Sequence, residues 1–363
     1  MTIRRGFDAV PSALRSAAAV AACLLLVAGA VWLVVYILFK VMALTMAVIA
    51  ALLLTALVAP VARLMRRLRA PAWAAALSGL LTLLLAVAGS VALAGDQVAG
   101  QWRKMSHGLT DGLRRAREQL VEGPLPISER QLDNTVDGLI KAARRASPDP
   151  MTSASVAAEA AAAALITMFL LFFMLKDGVR MWGWIMRLVP ARHRPKIDAA
   201  GRAGWRALVS YVHGIVLIAA ADALGIGLAL VLIGVPFALP LTLLTFIAAF
   251  IPFAGAVIAG AAAVLIAFVS GGLTDALLVL GAVIAVQQAE SHLLQPLIMG
   301  RSLNLHPVVV VVSVAAGSLL AGVAGAVIAV PVVAVGYRVA SVLSAASDDE
   351  DPAPAASAAA PDT

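Results

Sequence analysis

Cysteine is almost absent from this chain: Cys23 stands alone among 363 residues. A single cysteine excludes an intrachain disulfide and any CxxC metal pair. Charge is also scarce, with Asp, Glu, Lys and Arg at 13% against roughly a quarter in an ordinary soluble domain. The chain lacks HExxH, GxSxG and GxxxxGK[ST], the motifs of zinc proteases, serine hydrolases and P-loop nucleotidases. We therefore expect no enzymatic activity, no cofactor and no bound metal.

What fills the space is apolar. Hydrophobic residues make up 62% of the chain and mean hydropathy is +0.98. The excess lies in runs near 20 residues, the length of a bilayer-spanning helix at about 1.5 Å per residue. This predicts an all-α polytopic membrane protein with the lipid bilayer as its solvent. The net charge of +7 does not point to nucleic acid, because the Lys and Arg sit in short clusters between apolar runs. Arg63, Arg66, Arg67 and Arg69 form one such cluster, which predicts a cytoplasmic loop and a cytoplasmic N-terminus. "VAAC" at 20–23 resembles a lipoprotein box, but the uncharged stretch after Arg15 is too short for a signal core, and the run continues to Phe39.

Five regions follow from the pattern. Residues 1–94 carry three spans. Residues 95–150 mix charges of both signs with amphipathic spacing and predict a helical segment outside the membrane. Residues 151–210 hold a fourth span, ending in "FFMLKDG", and a basic amphipathic helix with Trp182, Trp184 and Trp205 suited to the interface. Residues 211–340 form the last apolar region, and 341–363 an acidic, Pro/Ala-rich tail expected to be disordered. N- and C-termini both fall on the cytoplasmic side of a bacterial inner membrane.

The region 211–340 holds two broken apolar units. One, at 236–269, is interrupted by Pro252 and Gly255; the other, at 308–338, by Gly317, Gly322 and Gly325. The hexapeptide AGAVIA stands at 254–259 and again at 324–329, so a span followed by a broken unit repeats. Each unit reads either as one kinked span or as a re-entrant hairpin, giving six to eight transmembrane spans. The uncharged loop "SGGLTD" at 270–275 and the Arg301-bearing loop after it favour hairpins. Hairpins would make the two halves an inverted repeat whose non-helical tips lie near mid-membrane, where secondary transporters place their substrate sites.

These segments look familiar together. "FFMLKDG", "YVHG", "GVPFALPLTLLTFIAAFIPFAGAVIAG" and "QQAESHLLQPLIMGRSLNLHP" resemble the autoinducer-2 exporter family over about residues 15–340. The most specific block is Gln287-x-x-Glu290 … Pro296 … Gly300 … His306-Pro307, followed by "FIPFAG". The resemblance implies a permease that exports a small polar solute or exchanges monovalent cations for protons, and a homo-oligomer. Asp222 departs from the pattern, standing within a span where an apolar or small residue is expected.

An ionisable group inside a membrane is a functional hypothesis by default. Gln287 and Glu290 lie one helical turn apart, while Gln288, His292 and Gln295 follow on a neighbouring face. Glu290 would take a proton or cation and the amides a polar solute; alternatively, the span ends near Glu290 and these groups meet headgroups. Asp222 is central in its span and would join Glu290 and His292, or pair locally against another helix. Pro252 and Gly255 would expose helix ends to solute, whereas Gly317–Gly325 suits close packing. Arg301, His306 and Pro307 read as a gate or a loop anchor. The expected function is secondary transport, with a cation/proton antiporter and a non-transporting membrane scaffold as alternatives.

Overall fold

The computed structural model describes residues 12–93, 95, 150–252, 254–294, 297 and 306–348. The expected extramembrane segment, Arg301, Gln295 and the tail beyond Asp348 lie outside them. The described residues are helical, with no strand. In order they form α1 (Ser12–Lys40), α2 (Met42–Arg67), α3 (Ala72–Leu93), α4 (Pro150–Leu188), α5 (Arg194–Ile233), α6 (Ala238–Ala248), α7 (Ala254–Ala289) and α8 (Pro307–Asp348). Six of the described helices are long and apolar enough to cross a bilayer, as a polytopic membrane protein requires.

Packing is that of a protein dissolved in lipid. The core is built largely of alanine, as at Ala51, Ala56, Ala219, Ala263 and Ala267, all fully buried. Large side chains point outward instead: Leu25, Leu232 and Leu319 are 74%, 77% and 87% exposed. With apolar tails as solvent, burying leucine gains little, and small residues that let backbones approach decide the contacts. In the N-terminal half, α2, α3 and α4 share one cluster around Ala62, Ala76 and Leu171. Arg66 of α2 secures it by donating to the Leu175 and Lys176 carbonyls of α4.

The basic stretch 176–206 is divided between two helices rather than forming one. α4 runs on to Leu188, a break follows at Val189–Pro190, and α5 begins at Arg194 after a single 3₁₀ turn. Proline cannot continue a helix and pushes the residue before it out of the helical region. Residues 341–348, expected to belong to the tail, instead continue α8, because "SVLSAASD" carries no Pro or Gly.

α5 is the mast of the C-terminal half. Gly227 and Gly225, towards its Ile233 end, receive Thr242 of α6 and Val286 of α7, while Gly204, towards its Arg194 end, receives Val335 and Val339 of α8.

Both broken units are hairpins. α6 and the first arm of α7 meet at a turn over 249–253, where a Cβ on Gly255 would strike the Ala248 carbonyl. α7 then reverses again at Gly272 (φ 81°, ψ −163°). A continuous helix would hold Gly260 and Val283 about 34 Å apart, yet Val283 Cγ1 lies 3.1 Å from the Cβ position of Gly260. α8 reverses at Ala321–Gly322 (Gly322 φ 59°, ψ −144°), so that Gly317 and Gly325 abut backbone to backbone. Both glycine conformations are essentially closed to other residues.

The AGAVIA copies now have one explanation. Each opens the return arm of a hairpin, and its second residue, Gly255 or Gly325, lies against a carbonyl of the opposite arm. The hairpins enter from opposite ends of α5. Counting about 1.5 Å per residue from Gly227–Thr242 and from Val330, which packs with Tyr211 and Val212, brings both tips to the level of Ile218–Asp222.

Two measurements test this topology. In a Cys23→Ser background, Gly260→Cys/Val283→Cys should form a disulfide on mild oxidation; a pair that stays reduced would mean that α7 is continuous. Gly322→Ala should lower stability by about 1–3 kcal/mol in detergent unfolding, whereas Gly336→Ala, with nothing within 4 Å of its Cβ position, should not.

Candidate functional site

The site grows from one stripe of α5. Tyr211, Ile215, Ile218 and Asp222 follow the i, i+4, i+7, i+11 pattern and therefore share a face. All four line a cavity of 1340 Å³. Across it, Leu273, Ala276, Leu280, Val283, Gln287 and Glu290 follow the same period along the second arm of α7. The floor comes from the first hairpin's tip, through Ile251 and Pro252, and Val310 and Val330 of the second hairpin close another side.

The tip is chemically quiet. Ala249, Phe250 and Ile251 donate to the Thr245, Ile247 and Ala248 carbonyls, and Ala254 and Gly255 donate to Pro252 and Ile251. Pro252 has no N–H to satisfy, which suits a turn made where water is scarce. Gly255 is buried and serves the close approach of the arms.

Asp222 is 4% exposed. Its carboxyl lies near that of Glu290, and both line the cavity, while Asp222 Oδ1 is buried with no hydrogen-bond partner among the described residues. Glu290 stands where α7 passes into a π-helical stretch, Glu290–Leu294, a distortion often found at functional sites. Among the described residues, the polar side chains of the cavity are Tyr211, Asp222, Gln287, Glu290 and Ser291, with no Lys, Arg or His in the lining. Its electrostatics are therefore acidic. Among the described residues no three His, Cys, Asp or Glu side chains gather to hold a metal.

The other candidates separate. Gln288 and His292 are exposed on the neighbouring face, where His292 Nδ1 lies 3.0 Å from the Gln288 carbonyl. The structure therefore joins Asp222 to Glu290 and leaves His292 off the cavity. His306 sits just before α8, its Nδ1 accepting from the Val308 N–H at 3.3 Å, and Pro307 is the first helical residue, where its missing donor is harmless. Both belong to the entry of the second hairpin, and Pro307 also borders the cavity. Glu290 lies level with mid-helix Asp222, so its neighbourhood is the cavity rather than a span end.

Tyr211 and Ser291 were not anticipated. The signal for Tyr211 was available: eleven residues make three turns almost without remainder, which places it beneath Asp222. Ser291 lies four residues after Gln287 and donates to its carbonyl at 2.9 Å, so the same arithmetic reaches it.

Relatives of this chain carry the names of transport proteins. A protein of Mycobacterium tuberculosis, provisionally named a transport protein, is 44% identical over 60% of this chain and 61% of its own length. Bacillus subtilis YueF and YrrI, also provisionally named transport proteins, are 32% and 34% identical, each over 46% of this chain and 45% and 47% of their own lengths. The chain thus spans less than two thirds of these relatives. The family described as AI-2E family transporter matches residues 21–345, which include both hairpins and the acidic pair. The chain belongs to the AI-2E transporter family.

Proposed function

We propose that this protein is a secondary transporter that exports a small polar solute, such as autoinducer-2, and couples the movement to protons through Asp222 and Glu290. One observation carries the reading: two carboxyls from α5 and α7 meet in a cavity bordered by hairpins of opposite entry. Two ionised carboxylates this near repel one another, so a proton held between them would relieve the site. Separating them frees that proton's site, and rocking of one repeat against the other is how inverted-repeat carriers alternate access. Gln287, one turn from Glu290, offers amide donors and acceptors to the solute, and Pro252 and Gly255 set the depth of the floor.

The protein works in the bacterial inner membrane as a homo-oligomer, with both termini in the cytoplasm. A second reading, monovalent cation/proton antiport, is favoured by the two carboxyls, Asp222 and Glu290, on the cavity lining, since a carboxyl pair can exchange a cation for a proton. A non-transporting scaffold would make no use of the pair.

Everted vesicles with a pH-sensitive dye separate these readings. Wild type should move protons when autoinducer-2 is added, and both Asp222→Asn and Glu290→Gln should fall to the level of empty vesicles. Gln288→Ala and His292→Gln should keep the response. A response to Na⁺ or Li⁺ alone would select the antiporter, and silence towards every ligand would end the coupling role. Asp222→Asn should unfold no earlier than wild type, because an ionisable group at this depth costs about 2.5–3.5 kcal/mol. A second check is independent of cargo: an apolar carbodiimide should label Asp222 or Glu290 in wild type, and Asp222→Asn/Glu290→Gln should lose the label.

A further inference from the structure

A second cavity, of 1470 Å³, opens at the Arg194 end of α5 between α2, α4, α5 and the last turns of α8. Its inner wall is apolar, with Leu52 and Ala59 of α2 and Met174 of α4. Its mouth is the reverse: Arg63, Arg66, Arg194, Arg202 and Arg206 face Asp198, the one acid among the described lining residues. That acid is already engaged, accepting from Trp182 Nε1 at 2.7 Å and pairing with Arg202. Arg66 and Arg194 are held by backbone carbonyls, which fixes their positions without cancelling their charge. Arg63 and Arg206 stand exposed.

The dimensions match one leaflet. From Leu52 to Arg66 along α2 is about 21 Å at 1.5 Å per residue, and half of a hydrocarbon core is about 15 Å. The cavity therefore runs from hydrocarbon depth to headgroup depth, with Trp182 and Trp205 on its walls where indoles favour the interface. We infer that this cavity holds one anionic phospholipid, its phosphate on the arginine mouth and an acyl chain along the apolar wall. Guanidinium forks match phosphate oxygens in pairs. Five arginines against one engaged aspartate favour an anionic headgroup over a zwitterionic one. The apolar wall selects a lipid over free phosphate. Bound there, the lipid bridges the return arm of the second hairpin to the N-terminal spans.

Tryptophan quenching by brominated lipids tests this on the full chain in bilayers. Trp32, Trp73, Trp102 and Trp184 are replaced by Phe, leaving Trp182 and Trp205 as reporters. Brominated phosphatidylglycerol should quench with a higher association constant than brominated phosphatidylcholine, by about fivefold for each contributing arginine. Arg63→Gln/Arg206→Gln should bring the ratio towards one, and the control Arg67→Gln/Arg187→Gln, outside the cavity, should not. Equal quenching by both lipids in wild type, or the same fall in the control, would overturn the proposal. Relief of quenching by inorganic phosphate would reassign the mouth to a soluble anion. Protection from both lipids would mean that protein covers it, and either result would also overturn the lipid site.

Discussion

A peptide group in hydrocarbon has no water to turn to, and this constraint shapes the C-terminal half. A chain that enters the bilayer and turns back halfway must satisfy the backbone of its turn from within. The first hairpin does so with short-range bonds over 245–255 and a proline where a donor would otherwise stand. The turn must also be covered, and covering it demands close approach. Gly255 and Gly325 allow the two arms of each hairpin to touch through their backbones, and Gly204, Gly225 and Gly227 let α5 receive side chains from three other segments. Small residues here replace the leucine core of a soluble protein, because apolar burial has no comparable driving force in lipid.

From that packing comes the position of the acidic pair. Asp222 is set by α5, Glu290 by the second arm of α7, and the two meet because Gly225 admits Val286 one turn away. A lone carboxyl at this depth would be costly. Two brought together beside an open cavity make the candidate site. Both hairpins border that cavity.

Much of the fold was legible because it is local. Apolar runs announce the solvent, Pro252 and Gly322 mark the turns, and the spacing of Gln287 and Glu290 assigns them to one face and Gln288 and His292 to another. The repeated AGAVIA pointed to a repeat of span and broken unit, and the structure explains it, since the same close backbone approach demands glycine at the same place in each return arm. The division of 176–206 between two helices was less visible: a basic amphipathic pattern reads the same whether it is one helix or two helix ends, and only the break at Val189–Pro190 separates them. Tyr211 was legible in principle by helical arithmetic.

The sequence alone determined that the chain lives in a bilayer, where its two apolar units are interrupted, and which side chains share a helix face. These follow from hydropathy, backbone sterics and the helical period, all of which act between near neighbours. Only the tertiary structure decided that both broken units double back, that their tips meet at one level of α5, and that Asp222 finds Glu290 while His292 faces away. Those outcomes depend on the register between segments tens of residues apart. That register is chosen by which small residue receives which side chain, a fit between surfaces that no single stretch of the chain contains.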